Sequence, residues 1–219
     1  MSQKNKRQAF VKLCNVSRET LQKFDVCRKL IIKYQSKFNL MSKGDIDDIW
    51  VRHFADSGKI FFIARPFLLS QKIRGSVCDI GSGAGFPGAV LAILMEEAGF
   101  KNTVTLIESN AKKCMFLEEL RKSLNLSFNV HHLRAEDSRK KYDLITCRAV
   151  APMHRLLPLI NIIKKPYSKI ILVKGKNWSD ELLEIKNRWK FNMNVVKNKE
   201  SLDPSGGVTL EITNLRKIK

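Results

Sequence analysis

The sequence predicts an α/β fold: a mostly parallel, doubly wound sheet ending in an antiparallel hairpin, behind an N-terminal helical cap. Three observations carry this. From Val77 onward, short apolar runs alternate with segments of helical periodicity, the pattern of strands covered on both faces by crossover helices. Gly81, Gly83, Gly85 and Gly88 follow directly on the run Val77-Cys78-Asp79-Ile80, as happens where a central strand turns sharply into a helix. Ahead of them, residues 1–72 read as an all-helical cap.

The cap can be followed element by element. Ser17 is placed as an N-cap, and behind it Leu21, Phe24, Leu30, Ile31, Tyr34 and Phe38 recur at helical spacing, so a long amphipathic helix is expected. Phe38-Asn39-Leu40-Met41-Ser42 breaks it. A second helix is expected from Asp45, carrying Ile46, Ile49 and Trp50. Arg52-His53-Phe54-Ala55-Asp56-Ser57 comes next, then an apolar stretch from Ile60 to Leu69 interrupted by Pro66.

Residues 73–219 form the second unit. Strands are expected at 76–80, 103–107, 128–132, 142–147 and 169–174, with helices near 87–97, 110–124, 153–164 and 179–189. The tail differs. Two β-like runs, near 191–197 and 207–214, flank Asp203-Pro204-Ser205-Gly206-Gly207 with no helix between them, so they are expected to pair antiparallel.

Size and charge narrow the function. A chain of 219 residues buries one core with a modest appendage. It has no apolar run of transmembrane length, and Met1 to Arg7 is polar and basic with no signal-peptide core. The five cysteines, scattered and without a C-x-x-C pair, fit a reducing cytoplasm, and no metal site is expected from the four histidines. Nothing points to an obligate dimer, so a monomer is expected. The formal charge is +19, with 16 Lys/Arg against 6 Asp/Glu in residues 1–75, 11 against 9 in 76–160, and 13 against 6 in 161–219. A basic margin around a more balanced centre suits a polyanionic partner. The competing reading is a compositional bias toward Lys, Asn and Ile.

The glycine spacing selects the cofactor. Gly81, Gly83 and Gly85 make G-x-G-x-G. A dinucleotide fingerprint needs glycine where Phe86 stands, and a P-loop needs a Gly-Lys-Ser/Thr end that is missing. Asp-x-Gly-x-Gly-x-Gly is instead the pattern of S-adenosylmethionine (SAM) methyltransferases; a ligand-free turn is the alternative. Glu108 closes the second strand, where a carboxylate can accept the two ribose hydroxyls, or else is an ordinary surface acid. Leu133-Arg134-Ala135-Glu136-Asp137 follows the third strand and either flanks the adenine or starts a helix.

The run from Asp143 to Ala149 ends the fourth strand, where methyl transfer occurs in this fold. It holds neither an Asp/Asn-Pro-Pro-aromatic clamp for an exocyclic amine nor a Pro-Cys pair for a covalent pyrimidine adduct. Cys147 reads as a small buried residue. Arg148 either pairs with the cofactor carboxylate or stacks on a base. A ring nitrogen with an in-plane lone pair, such as N7 of guanine, suits such a site, because it attacks a sulfonium methyl without loss of a proton.

Asn15-Val16-Ser17-Arg18-Glu19-Thr20, Phe38-Asn39-Leu40, the Arg52–Ser57 block, Asp79-Ile80-Gly81-Ser82-Gly83-Ala84-Gly85-Phe86-Pro87-Gly88, Cys147-Arg148-Ala149 and Lys174-Gly175 together resemble, in order and spacing, the GidB (RsmG) family. These are bacterial enzymes that methylate N7 of one guanine, guanine-527, in the decoding region of 16S ribosomal RNA. The resemblance spans nearly the whole chain and has an alphaproteobacterial flavour. It implies a Rossmann-like SAM-dependent methyltransferase fold, SAM as cofactor, and 16S ribosomal RNA or the small ribosomal subunit as partner. By position it implies cofactor contacts at Gly81, Phe86, Ala135, Glu136 and Arg148, and makes Arg52, His53 and Lys174 candidates for lining the cleft that meets the RNA. His53 is alternatively a packing residue between cap and core. Cys147 stands where the family more often has Ser, and the tail lacks an arginine the family commonly carries before its last strand. The rival readings are a non-catalytic RNA- or ribosome-binding protein that keeps a SAM fold, and a methyltransferase of small molecules or protein.

Overall fold

A computed structural model describes residues 1–70, 75–197 and 207–218. Helix α1 (Gln3–Cys14), α2 (Arg18–Phe38), α3 (Lys43–Asp47), a π-helical segment (Ile49–Ala55) and α4 (Asp56–Ser70) precede the sheet. The core then runs β1 (Val77–Ile80), α5 (Gly88–Glu97), β2 (Val104–Glu108), α6 (Ala111–Ser123), β3 (Phe128–His132), a 3-10 turn (Ala135–Asp137), β4 (Tyr142–Arg148), α7 (Met153–Ile163), β5 (Lys164–Lys174), α8 (Trp178–Ile185), β6 (Trp189–Lys197) and β7 (Val208–Lys217).

Seven strands make one sheet in the order β3-β2-β1-β4-β5-β7-β6. Pairs β1–β2, β1–β4, β2–β3 and β4–β5 are parallel. Strand β7 inserts antiparallel between β5 and β6, so the expected tail pairing is present with its second strand innermost. This is the Rossmann-like methyltransferase arrangement. Its order reverses at β1, and strand ends on either side of a reversal leave a crevice.

Alternate strand residues feed two cores, as the pleat requires. Val77, Leu106, Leu144 and Ile171 join α4, α5, α6 and the cap on one face. Cys78, Ile107, Ile145, Cys147, Ile170 and Leu172 join α7 and Ile185 on the other. The cap therefore shares its core with the sheet. The expected cap boundary at 72/73 lies outside the described residues.

Serine caps explain the first helices. Ser2, Ser17 and Ser42 each accept from the amide three residues on, satisfying one orphan donor at each start. Asn15 and Asn39, both at φ +47°, end α1 and α2 in the left-handed conformation that asparagine tolerates. Helix α1 precedes the helix expected behind Ser17; it forms because Phe10 and Cys14 reach the core while its other face stays charged. The helix expected from Asp45 is in fact short, and Ile49 to Ala55 continue as a π-helix. Helix α4 runs through Pro66, because Phe61, Ala64 and Leu68 are buried on both sides of it. Strand β5 starts five residues earlier than expected, at Lys164, with a register shift against β4 between Lys164 and Lys169.

Candidate active site

The glycine loop is pinned from beneath. The Asp79 carboxylate is wholly buried and accepts from the Gly88 amide at 3.1 Å and the Thr146 hydroxyl at 2.8 Å. Burial pushes its pKa up to about 6 against those hydrogen bonds and the Arg148 charge, so it is ionised at neutral pH. Gly88 must be glycine for a packing reason: a Cβ there would overlap Leu106 and lie 2.7 Å from the Asp79 Cβ. Gly81, Gly83 and Gly85 all have positive φ.

The three alternating glycines serve different ends. A Cβ on Gly83 would meet only the Gly81 carbonyl at 3.8 Å, so the open approach surface lies there. A Cβ on Gly81 would strike Val150 of the β4–α7 turn. Gly85 faces inward, toward Ala89, Leu117 and Leu120. Phe86 likewise turns its ring into the cap, 4.8 Å from the His53 ring and 5.7 Å from Phe54. Of the residues expected at the cofactor, Gly83, Gly85, Phe86 and Glu108 line neither cavity described below; the roles of Gly85 and Phe86 visible here are packing ones.

Glu108 ends β2 beside the loop. One carboxylate oxygen accepts from the Gly83 amide at 2.9 Å and the other from the Asn110 amide at 2.8 Å. Each oxygen keeps a further lone pair, which is what a ribose diol requires. Gly81, Ala135 and Glu136 meet at a cavity of about 160 Å³, together with Ile80, Ile107 and Val150. Its apolar walls and the adjoining Glu108 suit the nucleoside half of SAM. Ala135 is small and buried in the 3-10 turn, so the space beside it stays open.

Val150 also borders a second cavity, of about 610 Å³, over the carboxyl ends of β4 and β5. Arg52, Arg148 and Lys174 line it together with Asp45, Asp56 and Glu181. Lys174 is held by Glu181 at 2.6 Å and the Ala151 carbonyl at 3.1 Å. Glu181 also accepts from the Met153 amide at 2.7 Å, so this carboxylate ties α8 to the start of α7.

Arg148 links cap and core. Its guanidinium donates to the Arg52 carbonyl at 2.8 Å and to Nδ1 of His53. An arginine only donates, so His53 Nδ1 must carry the lone pair and Nε2 the proton. That Nε2 lies 3.4 Å from an Asp45 carboxylate oxygen, too poorly aligned for a hydrogen bond. Burial first, and the Arg148 charge second, push the His53 pKa down to about 3; the ring is neutral at physiological pH. Only 6% exposed, it does not itself line the large cavity. A π-helical register presents both the Arg52 carbonyl and the His53 ring to one guanidinium, a distortion often found at functional sites.

Cys147, one residue before Arg148, is 2% exposed with its thiol pushed up by burial. It is a core residue. Three participants escaped the sequence reading. Val150 carries no motif. Glu181 sits on an ordinary amphipathic helix. Asp56 was legible only as part of the Arg52–Ser57 block, which places it at the cavity rim.

Comparisons with known proteins give the family of the chain and relatives of its fold. The family model for GidB, rRNA small subunit methyltransferase G, matches residues 20–205. A ribosomal RNA small subunit methyltransferase G of Bartonella tribocorum is 36% identical over 205 residues, covering 92% of this chain and 91% of that protein. One from Rickettsia felis is 34% identical over 206 residues, covering 94% and 100%. Among solved structures, the tRNA methyltransferase TrmI of Aquifex aeolicus superposes with a TM-score of 0.55 at 19% identity, covering 75% of this chain and 68% of that one. TYW2 of M. jannaschii, in complex with AdoMet, superposes with a TM-score of 0.52 at 18% identity, covering 82% and 78%. These two share the fold. With a glycine cradle open at Gly83, a carboxylate at Glu108 and a family match over most of its length, the chain belongs to the GidB family of rRNA small subunit methyltransferases, enzymes that use SAM.

Proposed function

We propose that this SAM-dependent rRNA methyltransferase acts on N7 of guanine-527 in the decoding region of 16S ribosomal RNA. One observation supports this above others: among the described residues, the groups near the end of β4 that could remove a proton or form an adduct are already engaged, the cavity carboxylates Asp45, Asp56 and Glu181 by Arg52, Lys59 and Lys174. Cys147 is buried as a thiol, Asp79 is enclosed beneath the loop, and the His53 lone pair is taken by Arg148. N7 of guanine needs neither service, since its lone pair lies in the ring plane and carries no proton.

SAM, when bound, supplies the electrophilic methyl group. Gly81, Gly83, Glu108, Ala135 and Glu136 would hold it, and the chain's own contribution is alignment and exclusion of water. Arg148, fixed by Arg52 and His53, presents its remaining N–H donors at the rim of the large cavity, where a base or the cofactor carboxylate would meet them. Arg52 and Lys174 would face the RNA across that cavity, and His53 would act through Arg148.

The substrate is read as 16S ribosomal RNA or the small ribosomal subunit, modified by a monomer in the cytoplasm. Among the described residues no helix is long and apolar enough to cross a membrane. Primer extension or mass spectrometry of 16S ribosomal RNA, from cells with and without this protein, tests the assignment. A missing modification at guanine-527 in the deleted strain, restored by the wild-type chain, is expected. A modification at any other position overturns it. Non-catalytic RNA binding is the second reading, and calorimetry that detects no SAM binding would favour it.

A further inference from the structure

The large cavity is electrically balanced, with three cationic and three acidic side chains on its walls. The excess of a +19 chain must therefore act elsewhere. Much of it stands at the opposite edge of the sheet. Strands β4 and β5 begin there, and because β7 runs antiparallel to β5 and β6 antiparallel to β7, β7 ends and β6 begins there too.

One opposed like-charge pair and one neighbouring lysine cluster mark this edge. Lys190 of β6 lies directly opposite Arg216 of β7, and both are exposed. Lys164 opens β5 against Tyr142, next to the exposed Lys141. Partial burial, and after it the Lys141 charge, lower the Lys164 pKa. Like charges opposed across strands repel, so the fold tolerates an unfavourable arrangement at Lys190 and Arg216. Nearby acids are already engaged: Asp143 accepts from Lys165 and Ser76, and Glu211 pairs with Lys169. Beside Lys164 and Lys165 the aromatic ring of Tyr167 is 86% exposed.

We propose that this amino edge, formed by Lys141, Lys164, Lys190 and Arg216 with Tyr167 beside them, is a second docking surface for ribosomal RNA. It takes the phosphate backbone at a point remote from the methylated nucleotide. A polyanion relieves the repulsion between opposed cations, and an exposed aromatic offers an unpaired base a stacking face. Strands β4 and β5 separate this edge from Arg148 and Lys174 by roughly 20–30 Å. A short hairpin held at the cavity cannot reach it, whereas folded ribosomal RNA can. The proposal rests on ribosomal RNA being the substrate and is independent of which guanine is modified.

The test uses the full chain with Lys141→Gln, Lys164→Gln, Lys190→Gln and Arg216→Gln combined. RNA binding is followed by fluorescence anisotropy over a range of KCl concentrations, with a 16S transcript and with a short hairpin carrying the target guanine. Affinity for the transcript is expected to fall about tenfold, and its log–log salt slope to flatten by about 2–3. Hairpin binding and SAM affinity should stay unchanged, and thermal stability should rise as repulsion is removed. Replacing the three lysines by arginine should preserve transcript affinity. Unchanged transcript affinity and slope, or an equal loss on the hairpin, would overturn the proposal. A wild-type chain that shows this transcript dependence but leaves guanine-527 unmodified would overturn the guanine assignment and still support the surface.

Discussion

Arg148, at the end of β4, donates to the Nδ1 lone pair of His53 in the cap, a hydrogen bond that, beside the one to the Arg52 carbonyl, joins the carboxyl end of β4 to the π-helical segment and fixes the tautomer of the imidazole. A partly buried cation and a buried neutral ring are thus interdependent: removing either strips the other of a hydrogen-bond partner.

Arg148→Ala should lower turnover at least about a hundredfold, with destabilisation of about 2–4 kcal/mol from the stranded partners. Arg148→Lys should fail to restore activity, because an ammonium cannot reproduce the planar fork that reaches both Arg52 and His53. Single-turnover methylation together with thermal melts separates the two effects, and near-normal turnover in Arg148→Lys would contradict the fork.

His53 sets a pH dependence of stability. Its folded pKa lies below the ordinary value of 6.5, at about 3, so its contribution is full above pH 6.5 and is lost as pH falls toward 3. Asp79 acts oppositely: raised from 3.8 to about 6, it favours the fold more as pH drops through that interval. The His53 displacement is the larger, so these two groups together should destabilise the protein on acidification, with a His53 term on the order of 3–5 kcal/mol. In His53→Asn, whose amide oxygen can accept from Arg148, denaturant unfolding at pH 7 and pH 5 should show this loss abolished or reversed. An unaltered pH dependence would exclude a neutral buried imidazole.

Two glycines eight residues or fewer from Ile80 should fail in different ways. Gly83→Val should fold, at a cost of about 1–2 kcal/mol for its left-handed backbone, yet lose SAM binding about a hundredfold or more as the side chain fills the open approach. Gly88→Ala should impair folding itself, since its Cβ overlaps Leu106 and crowds Asp79. Circular dichroism alongside calorimetric SAM titration distinguishes them; tight SAM binding by Gly83→Val would remove the loop from the cofactor site.

Glu108→Gln places an amide group where two backbone amides now donate. One of those contacts becomes repulsive. SAM affinity should weaken about tenfold or more, with a smaller loss of stability, both measurable by calorimetry.

Cys147→Ser should leave methyl transfer within about twofold of wild type, because the thiol is enclosed and plays no covalent part. Loss of activity with retained stability would reopen a cysteine mechanism.

The order of strands and helices was readable from local chemistry: Ser17 as a cap, the alternation after Val77, the glycine run and the acid at Glu108 are properties of short segments, and short segments carry their own periodicity and turn requirements. The same holds for the SAM pattern, because a backbone that must approach a ligand needs glycine wherever it occurs. Tertiary structure alone decided what each such residue does. Gly83 opens toward the crevice while Gly85 packs inward, although both stand in one alternating motif. His53 turned out to be an interior partner of Arg148, because a contact between residues almost a hundred positions apart leaves no trace in the sequence around either. The basic C-terminal flank was visible as a count, but its position depends on β7 reversing direction between β5 and β6. That reversal brings Arg216 opposite Lys190 at the edge far from the reaction, and only long-range strand pairing could place it there.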